Sequence, residues 1–399
     1  MAAAISAARC GAKAVLLEQN EKTGKKLFIT GKGRCNLVND CDTADFFDSV
    51  VSNPRFLYSA VYGYDHDAVK SFFESCGVPL KTERGGRVFP RSDHSSDILR
   101  ALDEEMERLG VSVRLHSRVK EVLYQDGQAA GVLLSDGEKI PADAVIIATG
   151  GLSYPSTGST GDGYRLAREA GHSIVPCVPS LVPFAVEEEE YHGLMGLSLR
   201  NVELTFYQGG KKLDSFFGEM LFTHYGISGP IVLTASARLA RRLEKGPMEA
   251  RLDLKPALSE KQLDQRICRD FEKYANRDFA NSLSDLLPAK MIPLAIEKSG
   301  ISPHEKVHDI TKEQRKKLTA LLKGLPMTMK RTGPYTEAVV TKGGVSTKEI
   351  DSSTMESKKK KGLYFAGEVI DVDAYTGGYN LQIAWSTGHL AGESAAMEG

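Results

Sequence analysis

Two stretches near the carboxyl end place chemistry-bearing residues where a hydroxyl-rich, phosphate-bearing ligand would need them. In Tyr364-Phe-Ala-Gly-Glu-Val-Ile-Asp-Val-Asp373 an apolar, strand-like run ends at Gly367-Glu368, with Asp373 close behind. Thr376-Gly-Gly-Tyr-Asn-Leu-Gln-Ile-Ala384 then turns through Gly377 and Gly378 into an apolar helix that opens with Tyr379, Asn380 and Leu381. A carboxylate at a strand end accepts hydrogen bonds from sugar-type hydroxyls. A helix N-terminus offers unpaired N–H groups and a positive dipole end to a phosphate or carbonyl oxygen.

Three further segments bear on the same chemistry. Ala148-Thr149-Gly150-Gly151 ends an apolar run, and ligands of open α/β sheets gather at such carboxyl ends. Gly24 to Asn36 packs three glycines and several cations into a short loop. Two readings stay open there: backbone amides that approach an anion closely, or a flexible basic surface loop. At the amino end a small-residue helix over residues 2–10, Gly11, the run Ala14–Leu17 and then Glu18 match the later part of a dinucleotide-binding βαβ unit. The first strand and its G-x-G-x-x-G turn are missing from the chain. Glycines ending just before Met1 would put Glu18 at the spacing of a ribose-binding acid, so an internal start is the expectation. Standing alone, Glu18 reads as a surface acid at a strand end.

These segments need a scaffold. With 399 residues the chain is long enough for two or three domains, and 41% apolar with 26% charged residues is ordinary globular composition. The formal net charge of −1 gives no electrostatic footprint for nucleic acid or an anionic membrane. The expectation is therefore a small-molecule partner, with no nucleic acid and no membrane. Cysteines at 10, 35, 41, 76, 177 and 268 form no C-x-x-C pair, which argues against zinc and a disulfide framework. No metal site is expected, and reduced thiols fit a cytoplasmic protein. No apolar run approaches the roughly 18 residues of a spanning helix. The opening Met1–Ala8 lacks the basic start of a signal peptide.

Ala14–Leu17 and Ala144–Ala148 are continuous apolar runs, which predicts strands buried on both faces of a parallel sheet. The small residues of the first helix would let it pack close to that sheet. Residues 66–75 and 95–109 read as helices, with Ile98, Leu99, Leu102, Met106 and Leu109 near one face of the second. Asp126-Gly127 and Asp136-Gly137 join Val119–Tyr124, Ala130–Leu134 and Glu138–Pro141 into an antiparallel meander. Residues 181–254 carry strand-like runs around a helix near 230–243. Residues 259–323 are mostly helical, with capping boxes at Ser259…Gln262 and Thr311…Gln314. Lys358–Lys361 reads as a solvated turn. The fold class is α/β: a Rossmann-like domain of parallel sheet plus meander (1–180 and 331–399), split by an inserted β-rich part (181–255) and a helical part (256–330).

Taken in order, these segments resemble the two-dinucleotide-binding-domain flavoproteins, and within them the BaiN/YhiN-like family. The carrying motifs are Gly31-Lys-Gly-Arg-Cys-Asn36, Thr149-Gly-Gly-Leu-Ser-Tyr-Pro155 with Gly158-Ser-Thr-Gly-Asp-Gly163, Phe222-Thr-His-Tyr-Gly-Ile-Ser-Gly-Pro230, Thr341-Lys-Gly-Gly-Val345 and the stretch Gly367–Gln382. The resemblance implies non-covalent FAD in a Rossmann-like FAD-binding domain. It sets Glu18 at the adenosine ribose, counts Gln19 among the cofactor-binding residues, and sets Val119 at the adenine through its backbone. Lys26, Gly33, Arg34, Cys35 and Asn36 would lie along the cofactor, and Thr149, Gly150 and Gly151 beside the diphosphate. Gly367, Glu368, Asp373, Gly377, Gly378, Tyr379, Asn380 and Leu381 would surround the ribityl chain and flavin. The family begins with a strand and a G-G-G-P-A-G-type turn that this chain lacks.

The implied activity is hydride transfer between FAD and a small organic substrate, such as an unsaturated steroid-like or amino-ketone compound. NAD(P)H as a transient electron donor, or oxygen, would be the partner; no second G-x-G-x-x-G supports a dedicated NAD(P)H domain. Two alternatives are a non-catalytic flavin-binding or interaction protein and an NAD-only Rossmann dehydrogenase. Catalytic residues stay unassigned. His224 suits a general acid but reads better as a histidine that fixes a loop. Cys35 suits a redox thiol but reads better as buried packing.

Overall fold

The computed structural model describes residues 1–397 and divides them into two compact units, residues 1–180 with 335–397, and Leu181–Pro334.

In the first unit the apolar runs form short parallel pairs. Val15–Leu17 lies beside Ser112–Arg114 in register, and Val145–Ile147 lies beside Leu363–Phe365. The meander runs as expected, Val119–Gln125, Gln128–Leu134 and Lys139–Pro141, turned by Asp126-Gly127 and Asp136-Gly137. One expectation fails here. Val15 is 41% and Val113 40% exposed, so this pair is not buried on both faces. Among the described residues neither parallel pair joins a third strand, although Tyr364 makes an isolated antiparallel bridge to Glu356 on the outer side of the second pair.

The small residues of the first helix (Ala2–Arg9) serve a different partner from the sheet. They meet the last helix (Tyr379–Met397), where Gly388 and Gly392 present bare backbone one turn apart. A Cβ on Gly392 would stand 2.3 Å from the Ala3 carbonyl oxygen and 3.0 Å from the Ala7 nitrogen. Ser6 and His389 add a hydrogen bond of 2.8 Å across the seam. Gly392→Leu is expected to cost about 3 kcal/mol, because overpacking a backbone contact forces both helices apart. Urea denaturation checks this, and an unchanged midpoint would mean the seam is loose in solution.

The second unit is a closed barrel in the order Phe184–Val186, Gly226–Ser228, Lys211–Phe222, Ser198–Gln208, Met248–Asp253, Leu325–Thr332. The last strand closes it by pairing with both Met248–Asp253 and Phe184–Val186. Helices Glu260–Lys273, Ile292–Ser299 and Lys312–Lys323 fall between the fifth and sixth barrel strands, and both capping boxes are formed. Leu263, Leu294 and Leu318 pack into the same core as Phe206 and Met248. A division near residue 255 therefore cuts through one core, since the strand that completes the barrel comes after the helices.

Candidate functional site

Three segments distant in sequence converge on Glu368. The Lys26 ammonium donates to Glu368 Oε2 at 2.6 Å and to the Ser153 hydroxyl at 2.5 Å. Ser153 in turn donates to Glu368 Oε1 at 3.0 Å, and the Thr341 N–H donates to the same oxygen at 2.7 Å. The Thr341 hydroxyl accepts the N–H groups of Leu152 and Ser153, at 2.8 and 3.2 Å. Gly151 is bare for a reason: a Cβ there would lie 2.4 Å from Thr341 Oγ1 and 2.9 Å from Glu368 Oε1. Three donors occupy the carboxylate, so about one of its four lone-pair sites stays open on Oε2. The Lys26 and Glu368 side chains are about one-fifth exposed, which leaves that site reachable.

Gly24–Asn36 is an ordered, partly helical segment rather than a flexible loop. Its first part is helical, Lys25–Gly33, broken by a kink at Thr30, Gly31 and Lys32. Apolar anchors drive this order: Leu27 packs at the core edge, and Cys35 and Leu37 are fully buried. Gly33 (φ 83°) faces open space, while a side chain on Gly31 would meet the Asn36 nitrogen at 2.8 Å. The Asn36 amide oxygen accepts from the Gly378 N–H at 3.1 Å, which ties this kink to the start of the last helix.

Some expected ligand groups are otherwise engaged. The Arg34 guanidinium is held by Glu83 and Asp93 and lies 4.0 Å over the Phe89 ring, so its side chain braces the kink. Asp373 is 1% exposed; it pairs with Lys342 at 3.1 Å and accepts from Ser180 at 3.3 Å. That carboxylate is enclosed because the short strand Asp373–Ala374 pairs with Val50–Ser52. Cys35 has no exposed surface, and burial pushes its thiol up to about 12. A thiol so protonated is a poor nucleophile at neutral pH. Iodoacetamide at pH 7.5 is expected to label exposed Cys10 and spare Cys35, read by peptide mass mapping; labelling of Cys35 in the folded protein would overturn this.

The remaining expected residues cluster in two places. Glu18 Oε1 accepts from the N–H and side chain of Asn20, at 2.9 and 2.8 Å. Gln19 donates to the Gly158 carbonyl at 2.8 Å, which ties the strand end to the turn beyond Thr149-Gly150-Gly151. Thr149 is exposed, and Gly150 turns at φ 73°. Val119 opens the meander opposite Leu134. At the other place, Gly367 (φ 74°) donates to the Thr387 hydroxyl at 2.9 Å, while Gly377 and Gly378 turn at φ 132° and 104°. Asn380 clamps the preceding loop through Ala374 and Tyr375. Tyr379, Asn380 and Leu381 form the first turn of a 19-residue helix, whose N–H groups have no intrahelical acceptor. Ser153, Thr341 and Lys342 build the site from within two of the motifs that carry the resemblance, although the sequence alone gives them no role. His224 is exposed in the second unit, edge-on to Tyr225 at 4.7 Å.

Asp40, His66 and Asp67 place three ligand atoms within 4.8 Å of one another. The Lys70 ammonium already sits on both carboxylates, so the group is an ion-pair cluster rather than a metal cage. No described helix is long and apolar enough to cross a membrane.

Comparison with known proteins extends this geometry. Over 398 residues the chain is 36% identical to the 3-dehydro-bile acid delta(4,6)-reductase of Clostridium scindens, covering 99% of this chain and 96% of that one. It is 33% identical to the ribosomal RNA dihydrouridine synthase of Haemophilus influenzae, covering 98% and 94%. An Escherichia coli quinol fumarate reductase shares the fold at 17% identity and a TM-score of 0.51, over 100% of this chain and 68% of that one. The second relative corrects the exclusion of nucleic acid. Net charge sums the whole surface and says nothing of a local site, so a near-neutral chain is no evidence against RNA. The family model for the HI0933-like protein Rossmann domain matches residues 1–394, and the chain belongs to the HI0933-like Rossmann family of FAD-dependent oxidoreductases.

Proposed function

We propose that this chain binds FAD at the Glu368 cluster and reduces an activated double bond in a small, steroid-like organic substrate. The observation that carries the reading is the convergence of Lys26, Ser153 and Thr341 on one carboxylate that keeps an acceptor site open. The 36% identity to a bile acid reductase supports the substrate class.

The residues present fit such a cofactor in part. Glu368 would take a ribityl hydroxyl, and the first turn at Tyr379, Asn380 and Leu381 would direct N–H groups at an oxygen of the flavin or diphosphate. Glu18 would take the adenosine ribose, with Gln19 holding the adjoining turn. Val119 would meet the adenine through its backbone. Thr149, Gly150, Gly151 and Gly33 leave bare backbone for close approach. Lys26 orients Glu368 and balances its charge. Arg34, Cys35 and Asn36 act by shaping the kink, and Asp373 by fixing the strand before Gly377. When bound, FAD supplies the hydride chemistry, with a reduced pyridine nucleotide or oxygen as the other redox partner.

Absorbance at flavin wavelengths and equilibrium dialysis against FAD test the reading on the chain as it stands. A bound flavin, reduced anaerobically by NADH or NADPH and reoxidised by an unsaturated 3-oxosteroid, is the expected result. Stoichiometric flavin that no such steroid reoxidises would overturn the substrate class. No flavin at any concentration would overturn the cofactor assignment.

A further inference from the structure

The segment 42–63 carries a run of aromatic rings that the cofactor site does not use. Starting from Tyr379 at the glycine turn, Phe46 lies 6.0 Å away, ring centre to ring centre, and Phe47 5.4 Å beyond it. Tyr58 and Tyr62 flank Phe47 at 4.6 and 5.7 Å and stand 6.1 Å from each other. The inner end is anchored, since Phe46 is 4% exposed. The outer end is open: Tyr58 is 46% and Tyr62 66% exposed. Burying one such ring stabilises a fold by about 2 kcal/mol, so two neighbouring rings left in water at a connected cluster point to a ligand surface.

Charge narrows the occupant. The segment sets three exposed acids, Asp42, Asp45 and Asp48, against one exposed base, Arg55. A phosphate backbone would be repelled there, and base stacking on nucleic acid is ordinarily accompanied by a cationic groove. A flat, apolar, uncharged ring system meets neither obstacle, and its rigid skeleton loses little entropy on binding.

We propose that Phe47, Tyr58 and Tyr62 form a platform that binds the ring skeleton of a neutral steroid-like substrate and leads it toward the turn at Gly377–Tyr379. The proposal rests on the oxidoreductase reading above and names where that site takes its substrate. The tyrosine hydroxyls can hydrogen-bond water while the ring faces carry the contact, which suits an amphipathic skeleton.

Equilibrium dialysis of 4-androstene-3,17-dione against the full chain tests it, with FAD affinity measured in parallel. Tyr58→Ala and Tyr62→Ala are surface changes and should each weaken steroid binding about tenfold, with FAD affinity unchanged; Tyr62→Phe should retain it. Equal steroid affinity in wild type and both alanine variants would overturn the platform while leaving the oxidoreductase reading intact. No steroid binding by a flavin-loaded wild type would overturn the platform and the steroid substrate class together, while the bound flavin would leave the cofactor assignment standing. Tyrosine-dependent binding of a single-stranded uridine-rich RNA, without steroid binding, would overturn the steroid assignment.

Discussion

Gly378→Ala is expected to cost more than about 3 kcal/mol and to abolish flavin binding. Two separate costs add at this position. Its φ of 104° lies where an L-residue is strained by about 1 kcal/mol or more. A Cβ would also stand 2.4 Å from the Val38 carbonyl carbon and 2.8 Å from the Asn39 nitrogen. Those are backbone atoms of a fully buried strand, so no rotamer change relieves the clash. Relief must come from moving the last helix, whose first turn carries the N–H groups proposed for the cofactor and whose Trp385 donates to the Leu37 carbonyl at 3.1 Å. Gly110→Ala is the control: its φ is 72°, but a Cβ there meets nothing within 4 Å. It should cost only the strain, about 1 kcal/mol. Urea midpoints for the two variants separate the contributions. Equal losses would mean that the approach to Val38 relaxes freely in solution.

Glu368→Gln is expected to weaken FAD binding about 30-fold and to lower stability by about 2 kcal/mol. The amide keeps the shape and one acceptor oxygen. It loses the charge that partners Lys26, and its NH2 must face a donor already placed there. The Lys26 ammonium is then left largely desolvated without a counter-charge. Removing both ends in Lys26→Met with Glu368→Gln should recover part of the stability, because residues in one network are not additive. Flavin affinity should not recover, since the acceptor for the cofactor hydroxyl is still altered. Isothermal titration with FAD and urea denaturation read the two effects independently. Recovery of both would mean that Glu368 serves Lys26 alone and does not meet the cofactor.

Much of the scaffold is legible in the sequence alone. The meander followed from two Asp-Gly turns between β-type runs, and both capping boxes followed from a Ser or Thr three residues before a Gln. Those signals are local: the hydrogen bonds they depend on close within a few residues, so spacing alone specifies them. The barrel in the second unit was less legible, because its closing strand Leu325–Thr332 pairs with partners as distant as Phe184. No local period announces such a pairing.

The candidate site divides along the same line. Glu368, the Gly377-Gly378 turn and the helix start at Tyr379 were readable, since a glycine turn between a strand and a helix leaves a mark in composition. That Lys26 reaches Glu368 across 342 residues, or that Ser153 and Thr341 complete its coordination, was not. Arg34 and Asp373 show the converse. Residue type made both look available to a ligand, yet each is taken by opposite charges that folding brings alongside. The sequence by itself determined which short elements form and where backbone without a side chain is required. Tertiary structure decided which charged groups are free to act, because a side chain's availability depends on neighbours that only long-range packing supplies.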